Sequence, residues 1–179
     1  MFNHIQKIIK SENKFTLRVL CEGDLRFVRE LYTNSDVMTY IAEPLSQSGF
    51  TMLFNNMLKG MERKRALYFV IENSDVSRSV GVISAKWCPK TESIETGTII
   101  APEFQKMGAS VWAQFAVMKE AIKCFPVKRC IVFVDKDNAA ANASCRRIGF
   151  VLEENHLSHV NEKHVNQWTF EMTLNEHDR

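Results

Sequence analysis

The sequence has no long apolar run, no paired cysteine spacing, no nucleotide-loop signature and almost no net charge. Each absence closes a class of function. With 23 basic against 21 acidic residues the formal charge is +2, and the basic residues are spread along the chain, so neither nucleic acid nor an anionic membrane is expected as a partner. No stretch approaches the about 20 apolar residues of a spanning helix. The opening MFNHIQKIIKSENKF has lysines but no long apolar core and no small-residue cleavage site, which predicts a cytoplasmic protein. Cys21, Cys88, Cys124, Cys130 and Cys145 are odd in number and lack short paired spacings, which argues against a disulfide framework and a zinc knuckle. Most of them are expected to be reduced and buried. His156, His159 and His164 cluster loosely with no acidic or cysteine partner at ligand spacing, so no metal site is expected. Finally, there is neither a Gly-Lys-Ser/Thr end for a nucleoside triphosphate nor a Gly-x-Gly-x-x-Gly turn for a dinucleotide.

What remains is an ordinary globular composition, 45% hydrophobic and 25% charged over 179 residues, which fits a single domain over residues 1–179 with residues 1–14 as an N-terminal arm. Phe15 to Leu20 alternates and reads as a strand. Leu25, Phe27, Val28 and Leu31 fall at helical spacing behind Asp24, the expected N-cap, and Asn34-Ser35-Asp36 loosens that helix. From Ser48 to Arg65 apolar residues recur every three or four positions, which predicts a second helix with Glu62-Arg63-Lys64-Arg65 on its solvated end. Leu67–Ile71 and Ser79–Trp87 read as a hairpin, and Ser93–Ile100 as the next strand of a meander. Cys130–Val134 is a buried strand, Asn138–Ile148 a helix closed by Gly149, and Phe150–Leu152 and Val165–Leu174 two last strands. The fold class is α/β (α+β), a mixed, twisted sheet of about seven strands with helices on both faces.

The organising stretch runs from Ile94 to Ile122. An apolar strand ends at Pro102, a short turn holds Gly108, and an amphipathic helix follows Ser110. Such a turn aims main-chain N–H groups and the positive end of a helix dipole at one spot, an anion site, although one glycine in a strand-to-helix turn is also common where nothing binds. Gln105-Lys106-Met107-Gly108-Ala109-Ser110 resembles the pyrophosphate loop of the GNAT superfamily of N-acetyltransferases, whose pattern is Gln/Arg-x-x-Gly-x-Gly/Ala. Asn138 ahead of Gly149-Phe150 matches that superfamily's second anchor, and the resemblance covers roughly Phe15 to Leu174. The branch it is similar to contains the ribosomal-protein N-terminal acetyltransferases and the spermidine acetyltransferases. Ser110 stands where the pattern ends in Gly or Ala, and Lys106 and Met107 replace the usual Gly or basic pair.

The resemblance implies acetyl-CoA as co-substrate, held with its pantetheine arm between two splayed parallel strands. It implies backbone pairing at Ile99 and Ile100, a diphosphate held by Gln105, Lys106, Met107, Gly108, Ala109 and Ser110, and a contact from Asn138. Asn138 also reads as a plain helix N-cap, and the two roles are compatible. An alkyl ammonium, with a pKa of about 10, is not a nucleophile until it loses a proton. By resemblance Glu95, two residues before Gly97, is the base; by spacing alone it reads as a solvent-facing strand residue. Many relatives place a Tyr seven residues after the Asn as acid for the coenzyme thiolate, and here that position is Cys145, either a weak acid or a small packing residue. Tyr32, Tyr40 and Tyr68 lie elsewhere in sequence. The implied acceptor is a small-molecule amine or a protein N-terminus, and a homodimer through the last strand as an edge is compatible with the pattern. A non-catalytic acyl-CoA-binding sensor or partner subunit is the alternative on the same fold.

Overall fold

The computed structural model describes residues 9–10, 14–153, 158–160 and 163–172. Among them the chain forms a nine-stranded sheet. Its strands are β1 (Ile9–Lys10), β2 (Phe15–Val19), β3 (Ala66–Asn73), β4 (Arg78–Cys88), β5 (Ser93–Ile100), β6 (Arg129–Asp135), β7 (Val151–Leu152), β8 (Ser158–Val160) and β9 (Lys163–Glu171). Five α-helices accompany them among the described residues: α1 (Leu25–Tyr32), α2 (Ser35–Met38), α3 (Gln47–Glu62), α4 (Ala109–Cys124) and α5 (Ala139–Ile148). The strand order is β1-β2-β3-β4-β5-β6-β9-β7, with β8 also on β9, and every pairing is antiparallel except β5 with β6. The expected mixed sheet is therefore present, with two short strands beyond the expected seven. One of these, β1, lies in the segment expected to be an arm; the rest of residues 1–13 falls outside the described residues, as do His156 and the Thr173–Leu174 end of the expected last strand.

Helices lie on both faces. On one, α4 packs through Gln114, whose Nε2 donates to Thr96 Oγ1 of β5 at 2.8 Å, and through Trp112, 5.9 Å from the Phe15 ring of β2. On the other, Gly60 of α3 stands over Ala66 and Tyr68 of β3, close enough for a Cβ to sit 3.6 and 3.8 Å from them. The strands between are covered on both sides, which is why Val80, Val82, Ile83 and Ala85 of β4 are buried in near succession rather than in alternation.

Several local differences from the sequence reading have simple causes. Asp24 does not cap α1 with its side chain, because Arg18 takes both carboxylate oxygens at 2.8 and 2.9 Å and the Cys21 N–H donates to it at 2.9 Å. Asn34 starts the short helix α2, its side chain accepting from the N–H groups of Asp36 and Val37. Helix α3 stops at Glu62, because Lys64 turns left-handed (φ 54°) and the Arg65 N–H folds back onto the Gly60 carbonyl at 2.9 Å. Of the charged run, Glu62 is thus the last residue of the helix, and Arg63, Lys64 and Arg65 form a turn beyond it. Only Cys130 and Cys145 are buried; Cys21, Cys88 and Cys124 are exposed, each at the margin of an element rather than on its core face. Strand β9 is not an edge, since β6 lies on one side of it and β7 and β8 on the other, which removes the basis for a dimer through that strand.

Candidate active site

β5 and β6 are paired over three residues only, Ser93–Glu95 against Arg129–Ile131. Beyond that point β5 stays on β4 as far as Ile100, and β6 stays on β9 as far as Asp135. The two parallel strands therefore fork, opening toward their carboxyl ends, where α4 and α5 begin. The Ala101 N–H donates to the Val80 carbonyl at 2.9 Å, so odd-numbered residues of β5 aim their main-chain groups at β4. Thr96, Thr98 and Ile100 aim theirs into the fork. Ile100 confirms the direction: its carbonyl accepts from Gln105 Nε2 at 3.3 Å. Ile99 was expected to join Ile100 in offering backbone to a ligand, but its carbonyl points at Gly81, where an added Cβ would lie 2.4 Å from it.

At the open end, Gln105, Lys106, Met107 and Gly108 form an exposed turn in which Lys106 (φ 62°) and Gly108 (φ 86°) are both left-handed. Helix α4 starts at Ala109, where it was expected to follow Ser110, and no side chain caps it. Its first intrahelical bond runs from the Trp112 N–H to the Gly108 carbonyl, which leaves the N–H groups of Ala109, Ser110 and Val111 outside the helical ladder. Gly108 is needed for conformation and not for space, since nothing lies within 4 Å of the position a Cβ would take. Asn138 caps α5, its side chain accepting from the Ala141 N–H at 3.0 Å, and so stands at the same open end.

At the closed end the fork is clamped from the α4 face. Gln114 Nε2 reaches both Thr96 Oγ1 and Cys130 Sγ, the latter at 3.4 Å, just where the parallel pairing stops. Burial pushes the Cys130 thiol up to about 12, so it is a packing group rather than a nucleophile. Glu95, the neighbour of Thr96, points to the opposite face, toward α3. Its side chain is 50% exposed and ion-paired with Lys86 at 3.8 Å. Tyr68 shares that face through the row Tyr68–Ser84–Gly97, beside the row Ala66–Lys86–Glu95. Burial, and then the charge of Glu95, push the Tyr68 phenol up; burial, and then Tyr68, do the same to Tyr32. Two neutral phenols distant in sequence thus line the Glu95 side.

Cys145 is 6% exposed on α5, and burial pushes its thiol up to about 11. The residue of α5 with the most hydrogen bonds is one the sequence did not single out. Asn142, buried in the helix, donates to the carbonyls of Asp135 and Asn138 at 2.9 and 2.8 Å and accepts from Asn166 and from the Trp168 indole, both at 2.9 Å. It ties the end of β6 to the start of α5 and to β9. A polar residue inside an Ala-rich helix was the available signal for Asn142, as a lone Gln among the apolar residues of α4 was for Gln114.

No curated protein matches the sequence. Among solved structures, RimL, a ribosomal-protein alpha-N-acetyltransferase in complex with coenzyme A, superposes with a TM-score of 0.79 at 20% identity over 93% of this chain and 98% of that one. A spermidine N-acetyltransferase from Vibrio cholerae, in complex with CoA and spermine, gives 0.76 at 24% identity over 88% and 95%. The microcin self-immunity acetyltransferase MccE, with acetyl-CoA and AMP, gives 0.75 at 18% identity over 91% and 94%. The acetyltransferase (GNAT) domain model matches residues 14–151, the greater part of the chain, and the protein belongs to that family.

Proposed function

We propose that the protein transfers an acetyl group from acetyl-CoA to an amine by direct attack in a ternary complex. The observation that carries this reading is the fork itself: uncapped helix amides at its open end, main-chain groups of β5 facing into it beyond the β6 pairing, and a carboxylate at its closed end. The parts fit the co-substrate. The exposed turn 105–110 and the first N–H groups of α4 offer donors and a positive dipole end to the diphosphate, with the Ser110 hydroxyl and the Lys106 charge beside them. Thr98 and Ile100 offer the main-chain pairing that the sequence reading gave to Ile99 and Ile100, and Asn138 faces the arm from the α5 side.

Such a placement lays the thioester near Thr96 and Gly97, within reach of an acceptor arriving from the α1 and α3 face. Glu95 takes the proton of the acceptor ammonium, directly or through a water; the freed amine attacks the thioester carbonyl. A β5 main-chain N–H stabilises the oxyanion, and collapse of the tetrahedral intermediate releases the coenzyme thiolate. Cys145 is a poor acid for that thiolate, because a thiol at about 11 holds its proton more tightly than a free thiol at about 8.5. The proton taken by Glu95, or one from water, serves instead, and Cys145 packs α5 onto the core. The similar structures are those of a protein alpha-N-acetyltransferase, a spermidine acetyltransferase and a microcin self-immunity acetyltransferase, which supports an amine as acceptor without choosing among amines.

The test is thiol release from acetyl-CoA over a panel of amines, with Glu95→Gln in parallel. Release that falls at least a hundredfold in the variant, with coenzyme A binding retained, is the expected result. Binding of coenzyme A with no release on any amine would replace this reading with that of an acyl-CoA sensor.

A further inference from the structure

On the face of the sheet that carries Glu95, the strands offer very few charges. Along β3, β4 and β5 the acidic residues are Glu72 and Glu95, and Glu72 is taken up by Arg18 of β2, its Oε1 accepting from the guanidinium Nε at 2.9 Å. Lys86 stands opposite it in the β4–β5 ladder, with Nζ 3.8 Å from Glu95 Oε1. The ammonium of Lys86 therefore occupies the place beside the proposed base where an acceptor ammonium would arrive. Of the helices over this face, α3 holds Lys59 and no acidic residue before its last, Glu62, while α1 holds Arg26, Arg29 and Glu30, the last paired with Arg26 at 3.1 Å, and Asp36 and Glu43 lie in α2 and in the connection to α3. Arg63, Lys64 and Arg65 follow in the turn, and the Arg65 carbonyl is bonded to the N–H of Trp87, the neighbour of Lys86. Tyr32 and Tyr68 contribute neutral hydroxyls.

From this juxtaposition, and resting on the transferase reading above, we infer that Lys86 is a specificity-determining residue of the acceptor side. It selects an amine carried on a neutral or acidic group, of which a peptide N-terminus followed by acidic residues is the fitting class, over a polyamine. One acceptor cation is matched by Glu95 as it displaces Lys86. A second cation on the same molecule meets Lys86 and the basic turn Arg63-Lys64-Arg65 with no second unpaired carboxylate on the strands beside Glu95, whereas an acidic flank meets those same charges favourably. Lys86 does not exchange protons with the substrate in this scheme; it acts through charge.

Two probes test it, a short peptide with a free N-terminus followed by Asp and Glu, and spermidine, each assayed for kcat/KM in wild type, Lys86→Met and Lys86→Arg, at low and high salt. The wild type is expected to favour the acidic peptide, and Lys86→Met to narrow the ratio about fivefold, the effect of one unit charge at about 4 Å in water. The narrowing is expected to fade at high salt, and Lys86→Arg to keep the wild-type ratio. A wild type that favours spermidine, or a ratio untouched by Lys86→Met in a protein that melts like wild type, overturns the inference while leaving the transferase reading in place. Absence of thiol release with either probe in every variant overturns the selectivity, and absence over the whole amine panel as well refutes the transferase reading on which it rests.

Discussion

Gly108 gives the most direct quantitative test of the proposed anion-binding turn. Its φ of 86° lies where an L side chain is strained, yet a Cβ there would meet nothing within 4 Å, so Gly108→Ala changes backbone strain and little else. A non-glycine residue in the left-handed region costs about 1–2 kcal/mol. That cost has two places to appear. If the turn keeps its shape in the free protein, the cost falls on folding and lowers Tm by about 2–4 °C per kcal/mol for a chain of this size. If the turn relaxes when empty, folding is spared and the coenzyme must restore the shape, which weakens binding by about fivefold for 1 kcal/mol and about thirtyfold for 2. The sum of the two losses is fixed at about 1–2 kcal/mol, whatever the split. Thermal melts and calorimetric titration with coenzyme A, on wild type, Gly108→Ala and Gly108→Asn, measure both parts. Asn tolerates the left-handed region better than Ala, so its summed loss is expected to be the smaller. An Ala variant that melts and binds coenzyme A like wild type would show that the conformation of Gly108 does not shape the site.

Gly81→Ala is expected to be worse than Gly108→Ala, since its Cβ would sit 2.4 Å from the Ile99 carbonyl and 3.2 Å from Ile100 Cα, both main chain. Urea unfolding should show a loss of about 1–3 kcal/mol, and the displaced end of β5 should weaken coenzyme A binding as well. Gly60→Ala has the opposite sign: the new methyl meets Ala66 and Tyr68 at 3.6 and 3.8 Å, ordinary contact, and should stabilise α3 by up to about 1 kcal/mol in the same assay. For pH, burial pushes the Asp24 carboxyl up, but the Arg18 guanidinium and the Cys21 N–H outweigh it and hold the group below the ordinary carboxylate range. The stability from this depressed pKa is present above the unfolded value of about 3.9 and is lost as pH falls below it through the lower folded value, so Asp24→Asn should flatten the acid side of the stability profile. Cys145→Ala, finally, is expected to keep thiol release within about tenfold of wild type, since a thiol raised to about 11 has no driving force to act as acid; a hundredfold loss in a folded variant would restore it as a catalytic residue.

The strand, turn and helix around Gly108 were legible because each is written in adjacent residues: apolar SIETGTII, the exposed turn, and the periodic VWAQFAVM. The same holds for Asn138 and Gly149 at the two ends of α5, where an N-cap and a left-handed C-cap leave local marks. Orientation within the strand was not legible. Whether Ile99 or Thr98 turns its main chain into the fork depends on the bond from Ala101 to Val80, twenty-one residues away in sequence, and no pattern inside β5 records it. The end of α3 failed for a related reason, since a charged run is compatible with helix and the left-handed turn at Lys64 is set by folding back onto Gly60.

The largest gap concerns the acceptor side, and it has one cause. A co-substrate held by main chain needs a short turn and a helix start, which a sequence displays in order. The face around Glu95 is instead assembled by register: Ala66, Lys86 and Glu95 form one row across three strands, and Tyr68, Ser84 and Gly97 the next. Members of a row are separated by the lengths of the intervening connections, so nothing in the spacing of Lys86 and Glu95 marks them as partners. It follows that the two halves of the site answer to different constraints. In the proposed site the coenzyme half is held by main chain, so side-chain change in the exposed turn, at Lys106 and Met107 for instance, is expected to matter little wherever the backbone path is kept. The proposed acceptor half is built from side chains, so one change of charge at Lys86 is expected to alter which amine it admits while coenzyme A binding stays as it is.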